Sequence, residues 1–238
     1  MGAPPRLETP AAAADLYHSQ GPDTADFQHR PAFTGDVLHL LDGRMVCPVQ
    51  HPCTMRRGLR LQPKILVCAV GPFADRIPDD WSTGHFRRTF LPQMVGQEAY
   101  AVEFSDMDLV TAVEVGAADR VVILSAYGVN LLLQRWTNHN NRVVIPTMTI
   151  NVQTAGPFEE ADLVSEALDA LIAAGDKYAT AEAKVDAWLG NRAGGGPSHR
   201  DRLSDAQSRS TVRRALRAQL DQWLNALDVA GSEASSAG

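Results

Sequence analysis

The sequence has no apolar run near the roughly 20 residues that a membrane-spanning helix needs. Only three of its 238 residues are cysteine: Cys47, Cys53 and Cys68. An odd number of thiols with no Cys-x-x-Cys pair excludes a disulfide scaffold, and reduced thiols are expected. The opening Met1-Gly2-Ala3-Pro4-Pro5 has neither the basic nor the apolar region of a secretory signal, so a cytoplasmic location is expected. The Gly-x-x-x-x-Gly-Lys phosphate loop, the Gly-x-Gly-x-x-Gly fingerprint, the Gly-x-Ser-x-Gly elbow and the His-Glu-x-x-His helix are all missing, which removes the commonest enzyme signatures.

The chain is 45% hydrophobic, enough for a sizeable core, with 28 Asp and Glu against 22 Lys and Arg. The charge is unevenly placed. Residues 34–150 are balanced, residues 151–190 carry eight acids against two bases, and residues 191–227 carry seven bases against three acids. Two C-terminal helical segments of opposite sign are expected to neutralise one another.

Residues 1–32, with five prolines and few large apolar groups, predict a disordered arm. Ordered structure is expected from Phe33. Asp42-Gly43 is a strong hairpin dipeptide between two apolar stretches, and Ile65-Leu66-Val67-Cys68-Ala69-Val70 reads as a strand buried on both faces. Further β-rich runs follow at 86–91, 100–104, 108–113 and 120–124. Ser125 is placed to cap a helix over about 127–141, where Val129, Leu132, Leu133 and Trp136 form an apolar stripe. The fold class is therefore α+β: a small, mainly antiparallel β-barrel over 33–150 with one internal helix, followed by C-terminal helices. Beyond it the sequence predicts an acidic helical pair over 157–190, opened by Pro157, and a flexible linker over 191–203. An amphipathic helix over 204–229 with a Ser204-x-x-Gln207 capping box and a disordered tail over 230–238 complete the chain.

Two constellations would carry chemistry. The first is Cys47-Pro48-Val49-Gln50-His51-Pro52-Cys53. Here Cys53 is a candidate nucleophile and His51 its base, with Arg56, Arg57, Arg60 and Lys64 near enough in sequence to favour thiolate. A zinc site from His39, Cys47, His51 and Cys53 is the competing reading, although the spacing fits no standard pattern, and plain core is the reading for Cys47 and Cys68. No metal and no cofactor are expected. The second is the helix face bearing Arg135, His139 and Arg142, in line at spacings of four and three. With His139 as a further catalytic candidate, and with Arg56, Arg57, Arg60, Lys64 and the Arg87-Arg88 pair, this face would make a basic surface for nucleic acid.

Gly35-Asp36-Val37, Gln50-His51-Pro52-Cys53-Thr54, Leu124-Ser125-Ala126-Tyr127, Gln134-Arg135-Trp136 and Arg142-Val143 together resemble, over about residues 34–146, a group of uncharacterised prokaryotic proteins. The small β-barrel of that group is similar to the PemK and MazF toxins. In the group a Ser-Gln-x-Cys-Asp stretch follows the second strand, whereas here His51-Pro52 precedes Cys53 and Thr54 replaces the acid. The resemblance implies the barrel fold, and it implies either an accessory role in mobile-element or phage-defence systems or RNA cleavage of the toxin kind.

Two functions are thus expected. One is an interaction protein whose barrel is a scaffold and whose C-terminal stripe, Val212, Leu216, Leu220, Trp223 and Leu227, binds a protein partner or a second copy as a homodimer. The alternative is a nucleic-acid-binding endoribonuclease.

Overall fold

The computed structural model describes residues 6–84, 86–192 and 195–236. They fall into two compact units, Met1–Gln28 with Ala32–Thr154, and His29–Pro31 with Ala155–Gly238.

The first unit contains β1 (Tyr17–Gln20), β2 (Val37–His39), β3 (Met45–Pro48), α1 (Pro52–Met55), β4 (Arg56–Arg57), β5 (Arg60–Leu61), β6 (Lys64–Pro72), β7 (Arg88–Val95), β8 (Glu98–Thr111), α2 (Ala112–Gly116), β9 (Asp119–Leu124) and α3 (Ala126–Asn141), and ends in the first turns of α4 (Thr147–Ala173). Seven strands form one sheet in the order β1-β9-β2-β3-β6-β8-β7, with every pairing antiparallel. The two outermost strands are bridged by side chains. The Tyr17 hydroxyl donates to the Pro92 carbonyl at 2.7 Å and the Gln20 amide to the Gln93 carbonyl at 3.0 Å, so the sheet is a nearly closed barrel.

The expected core strand is β6, whose Ile65 and Val67 pack with Val110 of β8 against Leu38, Val46 and Met55. The Asp42-Gly43 turn closes β2 on β3, with Gly43 at a φ of 88° that favours glycine. Ser125 caps α3 by accepting from the Gly128 N–H at 3.0 Å. A Cβ at Gly128 would lie 2.3 Å from the Leu16 carbonyl oxygen, so only glycine allows this helix start to approach the segment before β1.

That approach corrects the expected disordered arm. Leu7 and Leu16 are buried, residues 13–27 form a 3-10 turn, β1 and a second 3-10 helix, and β1 adds to β9. Composition undercounted this segment because two leucines and one four-residue strand suffice when a sheet edge is waiting to be paired. Residues 1–5 of the expected arm lie outside the described residues.

The second unit holds the rest of α4, then α5 (Tyr178–Gly190), α6 (His199–Leu203) and α7 (Arg209–Ser236). The opposite charges meet as expected: Arg213 pairs with Glu159, and Arg217 with Glu166 at 2.9 Å. Arg200 bridges Glu160 and Asp186 at 2.9 and 2.7 Å. Four expectations are corrected. The helix assigned to 157 onward begins at Thr147, with Pro157 inside it. The linker over 191–203 contains α6, opened by a capping box of Ser198 and Asp201, although Ala193 and Gly194 lie outside the described residues. Ser204 ends α6 rather than opening α7. The helical backbone of α7 also continues through Ser236, where a disordered tail is expected, and 237–238 lie outside the described residues. No helix among the described residues is long and apolar enough to cross a membrane.

Candidate nucleic-acid interface

At the end of α3 the chain turns through Arg142, which sits in the left-handed conformation with φ 57° and ψ 24° and whose N–H donates to the Asn138 carbonyl. Glycine is the usual residue there, because a side chain costs about 1 kcal/mol or more in that conformation. The turn brings Arg142 beside the start of β7, where Phe86, Arg87, Arg88 and Arg142 line an open cleft of about 430 Å³. Arg87 and Arg142 are exposed, and neither has an acidic partner among the described residues. Arg88 is tied to Glu103 at 3.0 Å and lies over the Phe73 ring. Phe86 is 43% exposed. His139, one turn before Arg142, holds this wall in place. Its Nδ1 lies 2.9 Å from the Phe86 carbonyl oxygen, and since a carbonyl only accepts, Nδ1 carries the proton. The imidazole stacks on Trp136 with 14° between the planes.

Arg135 belongs to a different environment, and its expected role in phosphate binding is corrected. It is 2% exposed, with its guanidinium 5.2 Å from the centre of the Trp81 ring. It donates to the carbonyls of Trp81 and Glu8 at 2.6 and 3.2 Å. Burial pulls its pKa down to about 10. The spacing of Arg135, His139 and Arg142 is right for one helix face, but the N-terminal segment and the loop around Trp81 cover the Arg135 end of it.

The remaining expected basic groups form a separate patch. Arg57 and Arg60 stand directly opposite one another in the β4–β5 hairpin, both exposed, with Leu59 at the tip packed down. Lys64 opens β6 opposite Thr111. Arg56 is half-buried, its guanidinium over the Phe33 ring at 5.4 Å. Arg57, Arg60 and Lys64 have no acidic partner among the described residues.

The Cys53–His51 pair is not arranged as nucleophile and base. His51 caps α1: its Nδ1 accepts from the Cys53 backbone N–H at 3.3 Å, so in the neutral ring the proton sits on Nε2, which is sealed from solvent without a hydrogen-bond partner. Burial lowers the pKa of this ring, which favours that neutral form. No bare nitrogen is left to take a proton from the exposed Cys53 thiol. Cys47 and Cys68 face one another across β3 and β6, both fully buried. Burial raises the Cys47 thiol well above its ordinary range and that of Cys68 to about 12, with the Asp106 carboxylate adding to the latter. Neither is a thiolate at neutral pH. His39 is exposed on its strand, and among the described residues no three potential metal ligands come together.

The residues of the expected partner stripe differ in burial. Val212, Leu216 and Leu220 are buried, while Trp223 and Leu227 are half-buried. Phe86 is the residue that sequence reasoning passed over. Its signal was an aromatic directly before two arginines, obscured because the same run reads as the start of a strand.

No family description, curated protein or solved structure matches this chain.

Proposed function

We propose that the protein is a nucleic-acid-binding interaction module, in which the barrel is a scaffold and the cleft of Arg87, Arg88 and Arg142 beside Phe86 holds the phosphate backbone. The observation that carries this reading is a concave surface lined by an aromatic ring, Phe86, and by two exposed guanidiniums, Arg87 and Arg142, without acidic partners among the described residues, which is what a phosphate chain and its bases require. A non-catalytic role is supported by His51, spent as a helix cap, and by the two buried thiols. A labelled single-stranded oligonucleotide should be retained at low salt by the wild type and released by Arg87→Glu. Failure of the wild type to retain RNA or DNA contradicts the reading.

A second reading, an endoribonuclease, is favoured by one observation: His139 stands against this same cleft through Phe86. Cleavage of labelled RNA by the wild type, lost in His139→Ala, would put this reading in place of the first. An accessory role in a mobile-element or phage-defence system rests on the resemblance of the 34–146 segment.

A further inference from the structure

The cleft and the Arg57–Arg60 hairpin both hold exposed arginines with no acidic partner among the described residues, and both belong to the barrel unit, yet they flank different levels of the β6–β8–β7 ladder. Arg88 is paired to Glu103 of β8, which stands opposite Ala69 of β6. Lys64, which follows the hairpin, is five residues back along β6 and faces Thr111 at the far end of β8. Five residues of strand separate the two levels by roughly 17 Å, before the hairpin beyond Lys64 and the side chains of Arg87 and Arg142 are counted. Within the hairpin, Arg57 and Arg60 oppose each other directly, an arrangement that repels unless an anion lies between them.

We infer that the ligand is an extended polyanionic strand that bridges both patches, with one stretch of backbone in the Arg87–Arg142 cleft and another over Arg57, Arg60 and Lys64. This rests on the nucleic-acid reading above and adds a minimum length to it. At about 3.4 Å per phosphate in a stacked strand, roughly five phosphates separate the two contacts. A shorter chain occupies one patch at a time. A longer one binds the second patch as an intramolecular event, and its affinity rises without any new kind of contact.

The test is fluorescence anisotropy of the full chain at low salt with labelled single-stranded oligothymidylates from about three to about twelve nucleotides, a range that brackets ordinary single-strand sites. The wild type should show an increase in affinity of tenfold or more within that range, followed by a plateau. Arg57→Gln/Arg60→Gln changes two exposed side chains. It should lose the increase, so that its affinity for the longest oligonucleotide falls tenfold or more towards its affinity for the shortest. A smooth length dependence that is the same in both proteins overturns the bridging inference and leaves the nucleic-acid reading intact. No binding of even the longest oligonucleotide by the wild type overturns both.

Discussion

The Arg135 guanidinium lies over the Trp81 indole, 5.2 Å from the ring centre, and donates at 2.6 Å to the carbonyl of the same residue. One side chain therefore fastens α3 to the loop that precedes the cleft, and through the Glu8 carbonyl to the N-terminal segment as well. Arg135→Ala should destabilise the protein by about 3 kcal/mol, the cost of a large buried truncation with two carbonyls left without donors. Thermal unfolding measures this. Oligonucleotide affinity of the folded fraction should not change, whereas a loss of affinity with unaltered stability would return Arg135 to the binding surface.

Arg142 makes the opposite prediction. Its left-handed backbone is a local strain that glycine relieves, so Arg142→Gly should gain about 1 kcal/mol of stability while weakening binding of a labelled oligonucleotide. A variant that gains stability and binds as well as the wild type would show that the guanidinium serves only the helix terminus.

The three thiols should differ sharply. With a chromogenic disulfide at pH 8, one thiol per native chain, that of Cys53, should react promptly, and three should react after denaturation. Because Cys68 is held up to about 12, the unfolded chain releases that proton first as pH rises through the ordinary thiol range. The contribution of this thiol to stability is complete below that range and is lost progressively towards pH 12. Unfolding midpoints that stay flat from pH 9 upward in the wild type, relative to Cys68→Ala, would contradict this.

In the helical unit, Leu216→Ala should cost about 2–4 kcal/mol because the residue is 2% exposed. Arg217→Ala, whose ion pair with Glu166 is exposed, should cost less than about 1 kcal/mol. A Leu216→Ala protein of unchanged stability that has lost an oligomer would mean that the stripe serves a partner instead of its own core.

Local pattern made the central elements legible. The apolar run 65–70, the Asp42-Gly43 turn and the Ser125 cap each state their structure within a few residues, and each appears where expected. Long-range pairing was not legible. β1 exists because β9, some hundred residues later, offers an edge, and nothing in Tyr17-His18-Ser19-Gln20 announces that partner. Pro157 suits a helix start, where its missing N–H is harmless. In the structure it lies within α4, where the helix forgoes one backbone hydrogen bond. Glu159, Glu160 and Asp162, which follow Pro157 in this helix, pair with Arg213, Arg200 and Arg30. The site was half legible for the same reason. Arg87, Arg88, Arg142 and His139 could be nominated by residue type, but their meeting at Phe86, and the burial of Arg135 away from them, depend on the loop and N-terminal segment that pack over α3.

The most direct measurement is the salt dependence of oligonucleotide binding by the wild type and by Arg87→Gln/Arg142→Gln. Each phosphate contact contributes about 0.7 to the slope of log affinity against log salt for a single strand. The wild type should bind at low salt with a linear decline, and the double variant should bind more weakly with a slope shallower by about 1.4. Equal slopes and equal affinities in the two proteins would contradict the assignment of the cleft.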